Sequence, residues 1–272
     1  MPPEGQPVEP GAPDPARLGL DDEFQFYCGP ELDCFTRCCQ DVSILLTPYD
    51  VLRLKRALGI SSSEFLERYT IVGRTRQHKI PVLFLKMDPE TRRCPFVTEA
   101  GCRIYPHRPW ACRMYPLGLA DPQHPGLGGQ RWHFLIKEDL CHGHRQPKRY
   151  RVREWLAEQG VEPYELMGLP FKELMLSDFW QSGREVRPEQ VDMLLMACYD
   201  LDRFRRFVFE TSFLQRFDVA EERVEAMRTD DVELLEFGLQ WLRFALFGER
   251  TLRLRRGHER GRIAARRSEG SS

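Results

Sequence analysis

The chain has 272 residues, of which 42% are hydrophobic and 30% charged, and its formal net charge is −1. This length suits one large domain or two smaller ones with a sizeable core. No apolar run approaches the ~18 residues that a membrane span needs, so no membrane partner is expected. A net charge near zero does not favour nucleic acid as the main partner.

Residues 1–22 are predicted to be a disordered lead-in, because they are rich in proline and poor in large apolar side chains. They lack the basic patch and apolar segment of a secretory signal, so the protein is expected in the cytoplasm. Cytosolic thiols are kept reduced, and nine cysteines are too few for a disulfide scaffold of this length. Metal binding or catalysis is therefore the favoured role of the cysteines.

Residues 23–148 hold eight of the nine cysteines and are predicted to form a small cysteine-rich metal-binding domain of short helices and strands. Thr47 followed by Pro48 predicts a helix start, and Gly59 predicts its end. Ser61 with Glu64 has the spacing of a capping box and predicts a second short helix. Two runs rich in β-forming residues, 80–86 and 132–137, are predicted strands.

Residues 149–248 are predicted to form an all-helical domain, so the expected fold class is α+β. Helices are expected at residues 150–159, 163–167, 171–181, 188–209 and 230–247. Cys198 lies on the apolar face of the fourth and is predicted to be a core residue.

Residues 249–272 are predicted to be a basic disordered tail, since eight arginines stand against two glutamates from Arg250 onward. A solvated tail is one interpretation. Contact with an acidic partner or RNA is the other.

The eight remaining cysteines are the candidate metal ligands: Cys28, Cys34, Cys38, Cys39, Cys94, Cys102, Cys112 and Cys141. Thiolate is the form of cysteine that binds metal, and several thiolates must converge from separate loops. Eight cysteines suffice for two four-thiolate sites, or for one site with spares. The sequence does not choose between zinc and an iron–sulfur cluster.

Cys38 and Cys39 are adjacent and point in different directions in either a helix or a strand. One is therefore expected to share a centre with Cys34, and Cys38 is favoured. The other is predicted to belong to a second site or to the core.

Basic residues surround these cysteines. His142, His144 or His107 could replace a thiolate as ligand, although surface positions are equally compatible with the sequence. Arg103, Arg108 and Arg113 could donate hydrogen bonds to a thiolate cluster or form simple salt bridges.

The cysteine blocks resemble the YkgJ-like cysteine-cluster family of zinc- or iron-chelating proteins. The resemblance covers about residues 24–159, half of the chain. It rests on Phe26-x-Cys28 with the Cys34-x-x-x-Cys38-Cys39 block, on Cys94-Pro-Phe, on Gly101-Cys102-x-Ile-Tyr, on Arg108-Pro-x-x-Cys112-Arg-x-Tyr115-Pro, and on Cys141-x-Gly143. It implies metal chelation by the clustered thiolates.

A related group, the flagellin lysine N-methylases, is similar in its Cys-Cys block and its Cys-x-x-Tyr-Pro step. That resemblance implies the alternative function, an iron–sulfur enzyme that uses S-adenosylmethionine on a protein or small-molecule substrate. No glycine-rich Rossmann loop is present, so the cofactor would bind at the cluster with Arg108 or Arg113 near its carboxylate. A third hypothesis is a zinc-stabilised interaction module that meets an acidic protein partner through the arginine-rich tail.

The cysteine-rich half has few long periodic segments, and a structural zinc contributes on the order of 10–16 kcal/mol in small peptides. The sequence therefore predicts that chelation unfolds this half and leaves the helical half largely intact.

Overall fold

The computed structural model describes residues 16–75, 80–121, 131–181 and 186–255. The fold is α+β, as predicted: small antiparallel sheets lie in the first half and helices fill the second. The described helices are α1 Pro48–Leu58, α2 Ser62–Tyr69, α3 Trp110–Met114, α4 Val152–Glu158, α5 Glu162–Met175, α6 Asp178–Gln181, α7 Pro188–Cys198, α8 Leu201–Glu210, α9 Glu221–Thr229 and α10 Asp231–Leu242. A π-helical turn, Arg243–Phe247, continues α10, and single 3-10 turns lie at Arg37–Cys39, Tyr105–His107, His142–Arg145 and Leu214–Arg216.

The described strands form four small antiparallel sheets. They are β1 Glu23–Gln25, β2 Leu45–Leu46, β3 Thr70–Arg74, β4 Pro81–Leu85, β5 Val97–Thr98, β6 Gly101–Cys102, β7 Leu117–Ala120, β8 Trp132–Leu135 and β9 Arg149–Arg151. The largest sheet has the order β2-β4-β3, and the others pair β1 with β9, β5 with β6, and β7 with β8. The predicted strands at residues 80–86 and 132–137 are confirmed as β4 and β8.

The first two predicted helices are confirmed as α1 and α2. Thr47 and Asp50 form a reciprocal capping box at the start of α1, and Gly59 ends it in the left-handed conformation at φ 66°. The Ser61 side chain accepts a hydrogen bond from the backbone N–H of Glu64 at the start of α2. Local sequence therefore determines both ends of α1.

The predicted break between residues 167 and 171 is wrong, because α5 runs through Pro170 to Met175. Tyr164, Phe171 and Leu174 are its buried residues, and their spacing keeps them on one face. Burial of that face outweighs the backbone hydrogen bond that proline cannot donate.

The predicted single helix at residues 188–209 is also wrong, because the chain breaks after Cys198 and restarts as α8 at Leu201. The carboxylate of Asp200 caps α8 and accepts hydrogen bonds from the Ser62 and Ser63 hydroxyls at 2.6 and 2.9 Å. The helix predicted at residues 230–247 is confirmed as α10 and its π-helical turn. Helix α9 was not predicted.

One hydrophobic cluster, the main core, joins the two halves of the chain. It contains Leu46, Leu54 and Leu83 from the first half and Leu194 and Leu234 from the second, all at most 2% exposed. The predicted boundary at residue 148 stays a prediction, but the apolar packing is continuous across it. A smaller cluster lies beneath β1 and β9 and includes Phe24, Phe26, Met114, Val152 and Trp155.

The described ends of the chain pack on the body of the protein. Leu18 pairs with His133 of β8, and Leu254 pairs with Phe217. Residues 1–15 and 256–272, where most of the predicted lead-in and tail falls, lie outside the described residues. Within the described ranges, no helix combines the length and apolar character required to cross a membrane.

Candidate metal centre

All nine cysteines are free thiols. Cys198 is fully buried in the main core, as predicted for a core residue. The charges that raise the thiol pKa values place the other eight in two neighbouring sets of four, which a hydrogen bond between Cys38 and Cys39 joins.

The first set, called the outer set, consists of Cys28, Cys34, Cys38 and Cys141. Cys28 is exposed as a residue, but desolvation by the atoms packed around its sulfur raises the pKa of its thiol to about 11, and the charges of the three other members add to this rise. The backbone N–H of His142 donates a hydrogen bond to the Sγ atom of Cys34 over 3.3 Å. These thiols therefore come together from chain segments more than a hundred residues apart.

The backbone around the outer set is tightly fixed. Strand β1 leads to Cys28 and pairs with β9, which follows the Cys141 turn. The N–H of Tyr27 donates to the carbonyl of Gly143 over 3.1 Å. Between Cys34 and Cys38, Thr36 has φ 67°, a left-handed conformation that costs a β-branched residue about 1–3 kcal/mol.

Gly143 lies where no side chain fits. A Cβ atom there would stand 2.5 Å from the Tyr27 carbonyl oxygen and 2.8 Å from the Phe26 ring. Gly143→Ala is expected to separate the Cys141 turn from the Cys28 segment and to cost about 1–3 kcal/mol of stability. Competition with a chelator should show weakened metal binding at the outer set only.

Gly168→Ala provides the matched control, since a Cβ atom at that helical position would meet nothing within 4 Å. Equal metal affinity in the two alanine variants would contradict the prediction.

The second set, called the inner set, consists of Cys39, Cys94, Cys102 and Cys112. Burial raises the pKa of Cys112 to about 12, and the charges of Cys94 and Cys102 contribute. The N–H of Cys94 donates to the carbonyl of Cys39 over 2.8 Å. Cys94, Cys102 and Cys112 pack against the main core, so this set is anchored to the rigid part of the fold.

The adjacent cysteines Cys38 and Cys39 point into different sets. A hydrogen bond between the two side chains lowers the pKa of Cys38 and raises that of Cys39. Cys38 lies with Cys28, whereas Cys39 lies with Cys94 and Cys112. The two sets are therefore direct neighbours, linked by one peptide bond.

The Asp50 carboxylate positions the helix that carries Cys112. It is fully buried, and its Oδ1 atom accepts a hydrogen bond from the N–H of Trp110, the first residue of α3, over 2.8 Å. Its Oδ2 atom accepts from the N–H and the hydroxyl of Thr47, each over 2.8 Å. Asp50 thus fixes the start of α1 to the start of α3.

Burial raises the pKa of Asp50 from its ordinary value of 3.8 to about 6. The folded state therefore binds this proton more readily than the unfolded state does, and the charged carboxylate costs stability above pH 6. That cost disappears as the pH falls. Between pH 7 and pH 5 the wild type should gain on the order of 1 kcal/mol relative to Asp50→Asn. Denaturant unfolding of both proteins at both pH values measures this difference, and parallel pH profiles would contradict it.

The chemistry of the side chains fits a metal or cluster. Each set supplies four thiols, the number that a four-coordinate zinc or an iron–sulfur cluster requires. The hydroxyl of Tyr115 is buried beside Cys141 and Glu138. Burial and the nearby Cys141 and Glu138 raise the pKa of Tyr115, so its proton is retained for donation to a metal-bound thiolate.

The sulfur atoms of each set are spread more widely than the four ligand atoms around a bound zinc ion. Four thiolates at 2.3 Å from one ion stand about 3.8 Å apart. Among the described residues, the one group of three or more ligand atoms that all lie within 4.8 Å is Asp33, Cys34 and His142. The sequence assigns no role to Asp33 and points to Tyr115 only as part of the Cys-x-x-Tyr-Pro step, although each is near a candidate cysteine in the chain.

The two arginines predicted to contact a cofactor are engaged within the fold. Arg113 donates to the backbone carbonyls of Arg108, Pro106 and Gln159 at 2.5–3.0 Å and to the Tyr164 hydroxyl. Arg108 donates to the Tyr105 carbonyl and the Gln159 amide, and it stacks on the Tyr105 ring. These contacts favour a role in holding the loop before α3, not in binding a carboxylate.

The histidines occupy three different surroundings. His142 contacts Asp33, with Nδ1 and Oδ1 2.6 Å apart. His107 contacts Arg53, with Nδ1 3.1 Å from the guanidinium. Both ring nitrogens of His144 are buried next to Phe26 without hydrogen-bond partners among the described residues, and burial lowers the pKa of His144.

The family comparison covers all eight cysteines of the outer and inner sets. A family model described as "CxxCxxCC: Putative zinc- or iron-chelating domain" matches residues 27–142, the span that contains both sets. Neither the curated proteins nor the solved structures yielded a match to the chain. The predicted resemblance to the YkgJ-like family is confirmed, because that family is this domain. Residues 27–142 of the chain therefore match the family model of the CxxCxxCC, or YkgJ-like, domain, which is described as zinc- or iron-chelating.

Proposed function

We propose that the chain chelates two metal centres, one in the outer set and one in the inner set, with four cysteine thiolates around each. The single observation that supports this most strongly is the convergence of eight free cysteines in two neighbouring groups of four, joined through Cys38 and Cys39. Thiols that merely filled core space would lie among apolar side chains, as Cys198 does, and would not act on one another.

The electrostatics of the thiols support the same conclusion. Neighbouring thiolates repel one another, and that repulsion helps to raise the pKa values of Cys28 and Cys112. A cation placed between them removes the repulsion and makes the thiolate the stable form. Crowding of this kind is unfavourable without a cation, which is the arrangement expected of a chelating site.

The bound group is a zinc ion or an iron–sulfur cluster at each centre, since all-thiolate shells suit both. Either group would join the Cys34–Cys39 segment to distant turns, so its first role is to hold the loops together. The engaged side chains of Arg108 and Arg113 give no support to the alternative of an S-adenosylmethionine-dependent enzyme.

Metal and acid-labile sulfide analysis of anaerobically purified protein tests the proposal. The wild type should carry two centres per chain: colourless protein with two zinc ions, or brown protein with sulfide. Cys141→Ser should remove the outer centre, and Cys102→Ser should remove the inner one.

Cys198→Ala is the control, because it removes a thiol outside both sets and should retain both centres. Loss of all metal from either single serine variant would contradict two separate sites, and metal-free wild type would contradict chelation.

A further inference from the structure

We propose that the outer centre is an exchangeable site, and that Asp33 and His142 capture a divalent cation and pass it to the outer thiols. This inference rests on the proposed function, because it assumes that the outer set binds metal. It adds two ligands that the cysteine pattern does not contain and a direction of metal transfer.

The geometry of three ligand atoms carries the inference. Asp33, Cys34 and His142 each offer one ligand atom, and the three atoms lie within 4.8 Å of one another. They combine carboxylate oxygen, thiol sulfur and imidazole nitrogen, all of which zinc accepts. Three ligands leave a fourth position open, which is the arrangement of sites where ligands exchange.

Exposure differs between the two ends of this group. The Asp33 side chain is 68% exposed and the His142 side chain 29%, whereas Cys34 is buried. A cation arriving from solvent therefore meets the carboxylate and the imidazole first. Cys34 belongs to both the capture group and the outer set, so it links the surface to the interior.

The inner set has no comparable access. Within the described ranges, no inner thiol belongs to a group of three ligand atoms that all lie within 4.8 Å of one another. Cys94, Cys102 and Cys112 pack against the main core, whereas Cys28 of the outer set is exposed. The inner centre is therefore expected to exchange its metal more slowly than the outer one.

The transfer is a ligand exchange without redox chemistry. The cation first binds Asp33, Cys34 and His142. Bonds to the sulfurs of Cys28, Cys38 and Cys141 then form as the bonds to the carboxylate oxygen and imidazole nitrogen break. Each thiol that becomes a ligand releases its proton to water.

Stopped-flow loading of the demetallated full-length chain with Co²⁺ tests the inference, since cobalt–thiolate absorption reports binding directly. The wild type should load in a fast and a slow phase. Asp33→Asn and His142→Gln should each slow the fast phase about tenfold, with the slow phase and the final absorbance unchanged.

Glu31→Gln is the matched control, because it removes an exposed carboxylate near Cys28 that lies outside the capture group. Unchanged rates in both test variants, or an equal slowing by Glu31→Gln, would overturn the capture role. Absence of a cobalt–thiolate band in the wild type would instead overturn the proposed function itself.

Discussion

Removal of both metal centres is expected to weaken amide protection in residues 27–41 and 136–146 while α1, α7 and α10 keep theirs. The first two segments consist mainly of turns and single 3-10 turns, and they meet at the outer set. A structural zinc contributes on the order of 10–16 kcal/mol in small peptides, whereas a whole domain is stable by about 5–15 kcal/mol. Without the metal, the two segments are held together only by backbone contacts such as the hydrogen bond from Tyr27 to Gly143.

The main core limits how much of the cysteine-rich half should unfold when the metal is removed, compared with the prediction from the sequence. Helix α1 and strand β4 belong to the cysteine-rich half, yet they pack in one cluster with α7 and α10. They should therefore remain folded when the metal is removed. Hydrogen exchange before and after chelation measures which segments lose amide protection, and restoration of the metal is the control. Unchanged protection in both segments, or loss of protection in α10, would contradict the expectation.

Asp231→Ala is expected to destabilise the protein by about 3–5 kcal/mol, because it breaks a nearly buried ion network between α1 and the C-terminal helices. Asp231 accepts from Arg205 over 2.6 Å and from Arg56 over 3.1 Å, and its carboxylate lies 3.3 Å from the Lys55 ammonium. The side chains of Lys55 and Asp231 are only 8% and 10% exposed. Removing the carboxylate leaves the buried Lys55 ammonium with Asp202 as its remaining carboxylate partner.

Asp192→Ala is the matched control, since Asp192 pairs with Arg203 at an exposed position and should cost at most about 1 kcal/mol. Urea unfolding of both variants measures the two costs, and equal costs would contradict the prediction.

The effect of Asp231 also has a defined pH dependence. Burial raises the pKa of Asp231, but the hydrogen bond from Arg205 and the charge of Lys55 outweigh it and lower the pKa overall. The stabilisation is therefore present above the ordinary pKa of 3.8 and is lost as the pH falls through the lower folded value. The stability difference between wild type and Asp231→Ala should shrink in acid.

Local sequence predicted the elements whose ends are determined locally. Helix α1 is the clearest case, since Thr47, Asp50 and Gly59 specify both its ends. The wrong helix bounds lie where contacts between residues far apart in the sequence determine where a helix ends. Asp200 ends one helix and begins another because it binds Ser62 and Ser63, more than a hundred residues away. No local pattern shows that contact.

The candidate site also has a part that the sequence predicted and a part that it did not. The crowding of eight cysteines predicted a metal-binding segment, and the family comparison supports that prediction. The partners of each cysteine were not predictable, because they depend on long-range bonds such as Cys94 to Cys39 and Tyr27 to Gly143. The left-handed residue Thr36, which turns the chain between Cys34 and Cys38, has no sequence signal of its own.

The most direct test of the two-centre proposal is an anomalous difference map from a crystal of the metal-loaded chain, recorded at the absorption edge of the bound metal. It should show two separate centres, one within bonding distance of Cys28, Cys34, Cys38 and Cys141 and the other of Cys39, Cys94, Cys102 and Cys112. A single centre that draws sulfur atoms from both sets, or disulfides in place of metal, would contradict it.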